Sequence, residues 1–257
     1  MILRFRVCIP TYDNPATIAG VVRDVLNAAP FPVLVVDDGS HEPVAPILQR
    51  EGLLGNRVQV LRFETNRGKG AALQAAFTDS VKNGFTHLVT VDGDGQHLAS
   101  EMDCLITVAK ENPWDLIIGN RKLESATVPG ISKFGRKFSN FWVDYQTGFK
   151  ILDSQSGFRI YPLFHVQSMT FWTRKFDFEI EVLIRLLWRG VSIREVQCRV
   201  HYPPPEERVS HFRKFRDNVR ISALNTILVI LSLLKSHQAP REIGVAVGLG
   251  ILIGCTP

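Results

Sequence analysis

Short, β-branched apolar runs recur along the first half of the chain, separated by stretches whose apolar residues fall at helical spacing. Arg6-Val-Cys-Ile-Pro10, Val33-Leu-Val-Val36, Val58-Gln-Val-Leu61, His87-Leu-Val-Thr-Val91 and Leu116-Ile-Ile118 read as strands. Their near-continuous hydrophobicity suits strands covered on both faces. Between them, Val21, Val22, Val25 and Leu26 line one face of a helix, with Pro15 suited to its first turn. Ala71 to about Lys82 reads as the next helix. Strands alternating with helices predict a mostly parallel α/β sheet flanked by helices. Polar residues sit at the carboxyl ends of the strands, where open α/β sheets bind ligands.

The second half differs. Ile131 to Tyr145 interleaves Phe134, Phe138, Phe141 and Trp142 with Lys133, Arg136 and Lys137, an amphipathic helical pattern. Phe176 to Trp188 predicts another helix, and Ser192 to Val200 a strand. A proline-containing loop, Tyr202 to Glu207, precedes a basic cluster: Arg208, His211, Arg213, Lys214, Arg216 and Arg220. Two uncharged runs follow, Ile221 to Leu234 and Ile243 to Gly254.

A length of 257 residues fits one α/β domain with an appendage. The net charge of +5 points to an anionic partner. Its concentration just before an apolar run favours an anionic membrane surface over nucleic acid. The four cysteines form no CxxC pair, so they read as small core residues of a reducing compartment, without a disulfide framework or zinc site. The N-terminus runs straight into a strand and has no signal-peptide-like apolar core.

The chemistry centres on Val89-Thr-Val-Asp92-Gly-Asp94-Gly-Gln96-His97. Two carboxylates at i and i+2 leave a strand end on the same side. The glycines permit bending and close approach of a ligand. This is an acidic turn or a seat for a hard divalent cation that also holds substrate phosphates. Asp37-Asp38-Gly39-Ser40 is either an Asx turn or a set of acceptors for a base or ribose. Asn66-Arg67-Gly68-Lys69-Gly70 lacks the P-loop pattern but offers two cations at a helix start, which attract phosphate. GxGxxG is absent after the first strand, which disfavours a dinucleotide site.

Six segments in order resemble the family 2 inverting glycosyltransferases of GT-A fold, and within them the dolichyl-phosphate mannosyltransferase and polyprenyl-phosphate glycosyltransferase group. They are Ile9-Pro-Thr-Tyr12, Val36-Asp-Asp-Gly-Ser40, Asn66-Arg-Gly-Lys-Gly70, Asp92-Gly-Asp-Gly-Gln-His97, Ser156-Gly-Phe-Arg159 and Phe178-Glu-Ile-Glu181. The resemblance implies that Pro10, Tyr12 and Asp38 frame the nucleoside, with Asp37 and Asn14 beside them. It implies Lys69 at the diphosphate, and Asp92, Asp94 and Gln96 around Mg²⁺ or Mn²⁺. It places Arg121, Arg136, Ser210 and Arg213 at an acceptor phosphate, with Asp94, Arg121 and Arg136 as the groups nearest catalysis. One departure is Tyr12-Asp13-Asn14, where the group commonly has Tyr-Asn-Glu, and this leaves the base contacts open.

The expected activity is therefore metal-dependent transfer from a UDP- or GDP-sugar to a lipid-linked acceptor, polyprenyl phosphate first. A hydroxyl acceptor would need a base, for which Glu179 and Glu181 are the candidates. A sugar nucleotidyltransferase and a membrane-tethered nucleotide-sugar binding module are rivals. Residues 1–215 are expected to form the transferase domain. Residues 216–257 are expected to form a membrane-associated helical segment, the start of a truncated hydrophobic domain. That segment would lie on the cytoplasmic face of the cell (inner) membrane, unless its apolar runs pack on the core.

Overall fold

The computed structural model describes residues 2–121, 130–200, 221 and 223–231. The elements run β1 (Phe5–Thr11), α1 (Ile18–Ala28), β2 (Val33–Asp37), α2 (Val44–Arg50), β3 (Val58–Arg62), α3 (Lys69–Lys82) and β4 (His87–Thr90). After a 3₁₀ turn (Ala99–Glu101) come α4 (Met102–Glu111), β5 (Leu116–Arg121), α5 (Gly130–Thr147), β6 (Arg159–Pro162), α6 (Leu163–Val166), α7 (Phe178–Leu187) and β7 (Ile193–Cys198). Among the described residues the strands form one seven-stranded sheet, ordered β3-β2-β1-β4-β6-β5-β7.

Alternation of side chains across the sheet divides the core in two. Val7, Ile9, Val33, Val35, Val89, Ile117 and Ile160 face one way, against α1, α2 and α4. Cys8, Leu34, Val36, Leu88, Leu116, Ile118 and Tyr161 face the other, against α3 and α7. Both faces are covered, which explains the unbroken apolar runs of the central strands. The edge strand β3 alternates buried Val58 with exposed Gln59 and Arg62.

Two topological features place the site. β1 pairs in parallel with β2 on one side and β4 on the other, so the carboxyl ends of these three strands lie side by side at one edge of the sheet. β6 alone runs antiparallel, between β4 and β5, with Thr90 opposite Arg159. Its amino end, preceded by Ser154–Phe158, therefore meets the carboxyl ends of the other strands. This strand was not anticipated from the hydrophobic pattern, because Arg159-Ile-Tyr-Pro162 is too short and too mixed to read as one.

Part of the first apolar C-terminal run packs on the domain. Leu224 and Leu228 join the α3/α7 core. Val229 lies against Trp142 of α5, and Asn225 Oδ1 accepts from Gln146 Nε2 at 3.2 Å. Ile227 on the same helix is half exposed. Among the described residues no helix is long and apolar enough to cross a membrane. The basic cluster Arg208 to Arg220 and the run Ile243 to Gly254 lie outside the described residues.

Asp37 illustrates how the loops are fixed. Its fully buried carboxylate accepts N–H bonds from Ser40 at 2.9 Å and Val44 at 3.1 Å, and pairs with Arg62. It thus ties the end of β2 to the start of α2 and to β3. Asp37→Ala strands both amides and should cost about 3 kcal/mol. A lowered urea midpoint at unchanged m value checks this.

Candidate active site

The centre of the site is a buried group of charges. Lys69, the first residue of α3, puts Nζ 2.6 Å from Asp92 Oδ1 and 2.9 Å from Glu179 Oε1. Asp92 follows β4, and Glu179 lies in the first turn of α7. His97 Nε2 stands 3.4 Å from the other Asp92 oxygen. Burial would raise the Asp92 carboxyl, but Lys69 and His97 overcome it and hold the group well below the usual carboxylate range. Burial likewise opposes the charge on Lys69, and Asp92 and Glu179 reverse this, raising it above an ordinary lysine.

Gly157, just before β6, lets this group close. A Cβ there would lie 2.6 Å from Asp92 Oδ2 and 2.7 Å from Lys69 Nζ. Its carbonyl accepts from Thr90 Oγ1 at 2.6 Å, which holds the loop to the end of β4. Fully buried Arg159 shapes the same loop by donating to the carbonyls of Ser156, Ser154 and Glu179 at 2.7, 2.7 and 2.9 Å.

Asp94 differs from Asp92. It accepts the Gln96 N–H at 3.0 Å and forms no ion pair among the described residues. Burial, together with the charge of Asp92, raises its carboxyl above the usual range. Among the described residues no three His, Cys, Asp or Glu side chains converge to hold a metal unaided. The donors fit a cation that takes its remaining ligands from a bound anion. Asp94 is acidic, half-buried and without an ion pair among the described residues, and two carboxylates beside phosphate oxygens suit a hard divalent ion. The loop is braced for this, since Thr17 Oγ1 donates to the Gly93 carbonyl at 2.7 Å.

Around the first two strand ends, Asp38 accepts the N–H groups of Arg67 and Gly68 at 2.7 and 2.8 Å. Burial raises its carboxyl. Pro10 is buried within β1, and Asn14 Nδ2 donates to Thr11 Oγ1 at 3.1 Å. The glycine-rich start of α3 packs against another part of the chain. Ala71 N–H donates to the Arg174 carbonyl at 2.9 Å. Side chains at 68 or 70 would strike Arg174 and Phe178. These glycines admit the segment leading into α7, and Lys69 is the cation that reaches the site.

Arg121 and Arg136 come together. Arg121 grips buried Asp153 with Nε and Nη2 at 2.7 and 2.9 Å, and Arg136 Nη1 donates to the Arg121 carbonyl at 3.3 Å. Burial would raise Asp153, but the Arg121 bonds bring it below the usual range. Glu181 is not brought to the centre. It is fully enclosed, accepting from Trp172 N, Thr173 N, Thr173 Oγ1 and Arg185 Nη1. Ser210 and Arg213 lie outside the described residues. Gly157, Asp153, Arg159 and His97 received no role from the sequence. Gly157, Arg159 and His97 stood within quoted motifs, whereas Asp153 carried no signal.

The model of glycosyl transferase family 2 matches residues 6–181. The chain belongs to glycosyl transferase family 2. This family 2 transferase is 30% identical over 205 residues to polyprenol monophosphomannose synthase of Mycolicibacterium smegmatis, covering 75% of this chain and 76% of that one. It is 24% identical over 201 residues to undecaprenyl-phosphate mannosyltransferase of Micrococcus luteus, covering 76% and 82%. Its fold matches glucosyl-3-phosphoglycerate synthase of Mycobacterium tuberculosis, solved with Mn²⁺, UDP and glucosyl-3-phosphoglycerate. The TM-score is 0.61 at 17% identity, covering 91% of this chain and 79% of that one. These strands and helices are thus those of a GT-A glycosyltransferase. Family membership displaces the nucleotidyltransferase and binding-module alternatives.

Two outcomes follow from the geometry. Gly157→Ala forces Asp92 and Lys69 apart and should lower sugar-transfer rate about a hundredfold. Circular dichroism should show the fold retained. The pairing of Asp153 with Arg121 depresses a carboxyl whose reference value is 3.8. Its stabilisation is full above that value and is lost as pH falls through the lower, folded one. Asp153→Asn should therefore be less stable at neutral pH yet lose less stability than wild type below about pH 4, as read by denaturant midpoints at each pH.

Proposed function

We propose that this transferase moves a sugar from a nucleotide sugar to a polyprenyl phosphate, with inversion and with a divalent cation. One observation carries the choice of acceptor. Asp94 is taken by the cation in this reading, and Glu179 is bound by Lys69, Asp153 by Arg121 and Glu181 by Arg185. A hydroxyl acceptor needs a carboxylate free to take its proton, whereas a phosphate oxygen is already anionic and needs none. The names of the relatives from Mycolicibacterium smegmatis and Micrococcus luteus support the same acceptor class.

In this reading Asp92, Asp94 and Gln96 hold Mg²⁺ or Mn²⁺. The cation neutralises charge on the departing diphosphate when bound. Asp92 is kept ionised and oriented by Lys69 and His97. Lys69 adds a fixed positive charge at the same place. Pro10, Tyr12, Asn14, Asp37 and Asp38 belong to the nucleoside side. Asp37 and Asp38 act there by fixing loops, since their oxygens are engaged with backbone and Arg62. Arg121 and Arg136, with Ser210 and Arg213, seat the acceptor phosphate. Arg121 is aligned for this by its grip on Asp153, and alignment is the main device left where no base is used. The basic cluster from Arg208, with those residues of 216–257 that are not packed on the domain, holds the enzyme at the cytoplasmic face of the membrane, where the lipid presents its head group.

The test offers UDP- and GDP-sugars with polyprenyl phosphate or the free polyprenol, and identifies products by mass. Sugar should appear on the phosphate and not on the alcohol, and excess EDTA should stop it. Asp94→Asn should lose at least about a hundredfold in rate and weaken Mn²⁺ binding measured by calorimetry. Transfer to the alcohol, or full turnover in EDTA, would refute this reading.

A further inference from the structure

We infer that His41 contacts the nucleobase of the donor and helps set which base is accepted, and that Asp13 holds it in place for this. The inference rests on the nucleotide-sugar reading above. The loops after β1 and β2 are stitched together at one residue. Asp13 has φ of 50°, the left-handed region, and is the one non-glycine among the described residues to do so. Such backbone is costly for a residue with a side chain and persists where surroundings enforce it. Here they do. Asp13 N–H donates to Ser40 Oγ at 3.0 Å. Its carboxylate accepts from His41 N–H and His41 Nδ1, both at 2.8 Å. It also accepts from the Tyr12 hydroxyl.

The fold makes no packing use of the ring so fixed. The His41 side chain is 85% exposed. Among the described residues its ring neighbour is Tyr12, with centroids 6.3 Å apart and planes at 50°. Two aromatic walls therefore stand at an angle, joined by one carboxylate. With Nδ1–H committed to Asp13, His41 Nε2 is turned away from it and can accept an N–H from a base, and one ring face is open for stacking.

The position suits a base. β2 and β4 flank β1 on opposite sides, so the ends of β2 and β4 are roughly 10 Å apart by strand spacing. That is the distance a nucleoside puts between its base and its diphosphate, and the Asp92–Lys69 group stands at the β4 end. The acids at the β2 end are engaged, Asp37 with the amides of Ser40 and Val44 and with Arg62, and Asp38 with the amides of Arg67 and Gly68. Reading of the base edge therefore falls to other groups, and His41 is the exposed, oriented one.

Calorimetric titration of the full chain with UDP, GDP and inorganic pyrophosphate, each with Mn²⁺, tests this. His41→Ala should weaken binding of the preferred nucleotide on the order of tenfold, the loss of one base–aromatic stack. Pyrophosphate, which has no base, should bind unchanged. His41→Phe should restore most of the lost affinity but discriminate less between UDP and GDP. Asp13→Asn should lose part of the affinity, and wild-type binding there would remove Asp13 from the account. Normal nucleotide binding by His41→Ala, or an equal loss for pyrophosphate, would overturn the role of His41. A wild-type chain that binds pyrophosphate but neither nucleotide would instead overturn the donor reading itself.

Discussion

A lysine ammonium enclosed by protein must be paired, because an uncompensated buried charge costs several kcal/mol. Lys69 meets this requirement with two carboxylates from separate elements, Asp92 after β4 and Glu179 on α7. The pairing therefore dictates where α3, the β4 loop and α7 converge. Gly157 is the corollary, since any side chain there would occupy the space of the charges. The same contacts that hold these elements also keep Asp92 ionised and pointed. Stability and chemistry share one set of atoms.

The antiparallel strand β6 makes that convergence possible. A parallel strand would deliver its preceding loop to the far edge of the sheet. By running the other way, β6 brings Ser154 to Phe158 to the edge where β1 and β4 end. Arg159 then fixes the loop by donating to its carbonyls, and it donates to the Glu179 carbonyl as well. The guanidinium thus couples the shape of the Gly157 loop to the placement of α7.

Charges in the site are sorted by partner. Glu179, Asp153 and Glu181 each have a cationic side chain, and Asp94 has a backbone amide only. Partial burial and the neighbouring charge of Asp92 raise the Asp94 carboxyl, and a cation beside both acids would oppose that shift. Asp94 is thus the acid of this group left without an ion pair among the described residues.

Much of this was legible in the chain itself. The β-branched runs announced the parallel strands because both faces of those strands are buried, and Asp92 and Asp94 stood out because two acids leave a strand end on the same side, although a plain acidic turn reads alike. Lys69 was visible as a cation at a helix start, but the purpose of the glycines around it was not. Sequence cannot tell whether a missing side chain makes room for a ligand or for another part of the protein, and at Gly68 and Gly70 it is the Arg174–Phe178 segment. Tertiary structure alone separated Glu179 from Glu181. Two residues apart on one helix, they point to different surroundings, one to Lys69 and one into the enclosed Trp172–Thr173 turn. It alone paired Arg121 with Asp153, which lie 32 positions apart. Local pattern specifies which residues form a strand or helix. Which charges meet depends on the chain's crossings, and those follow from the packing of the whole sheet.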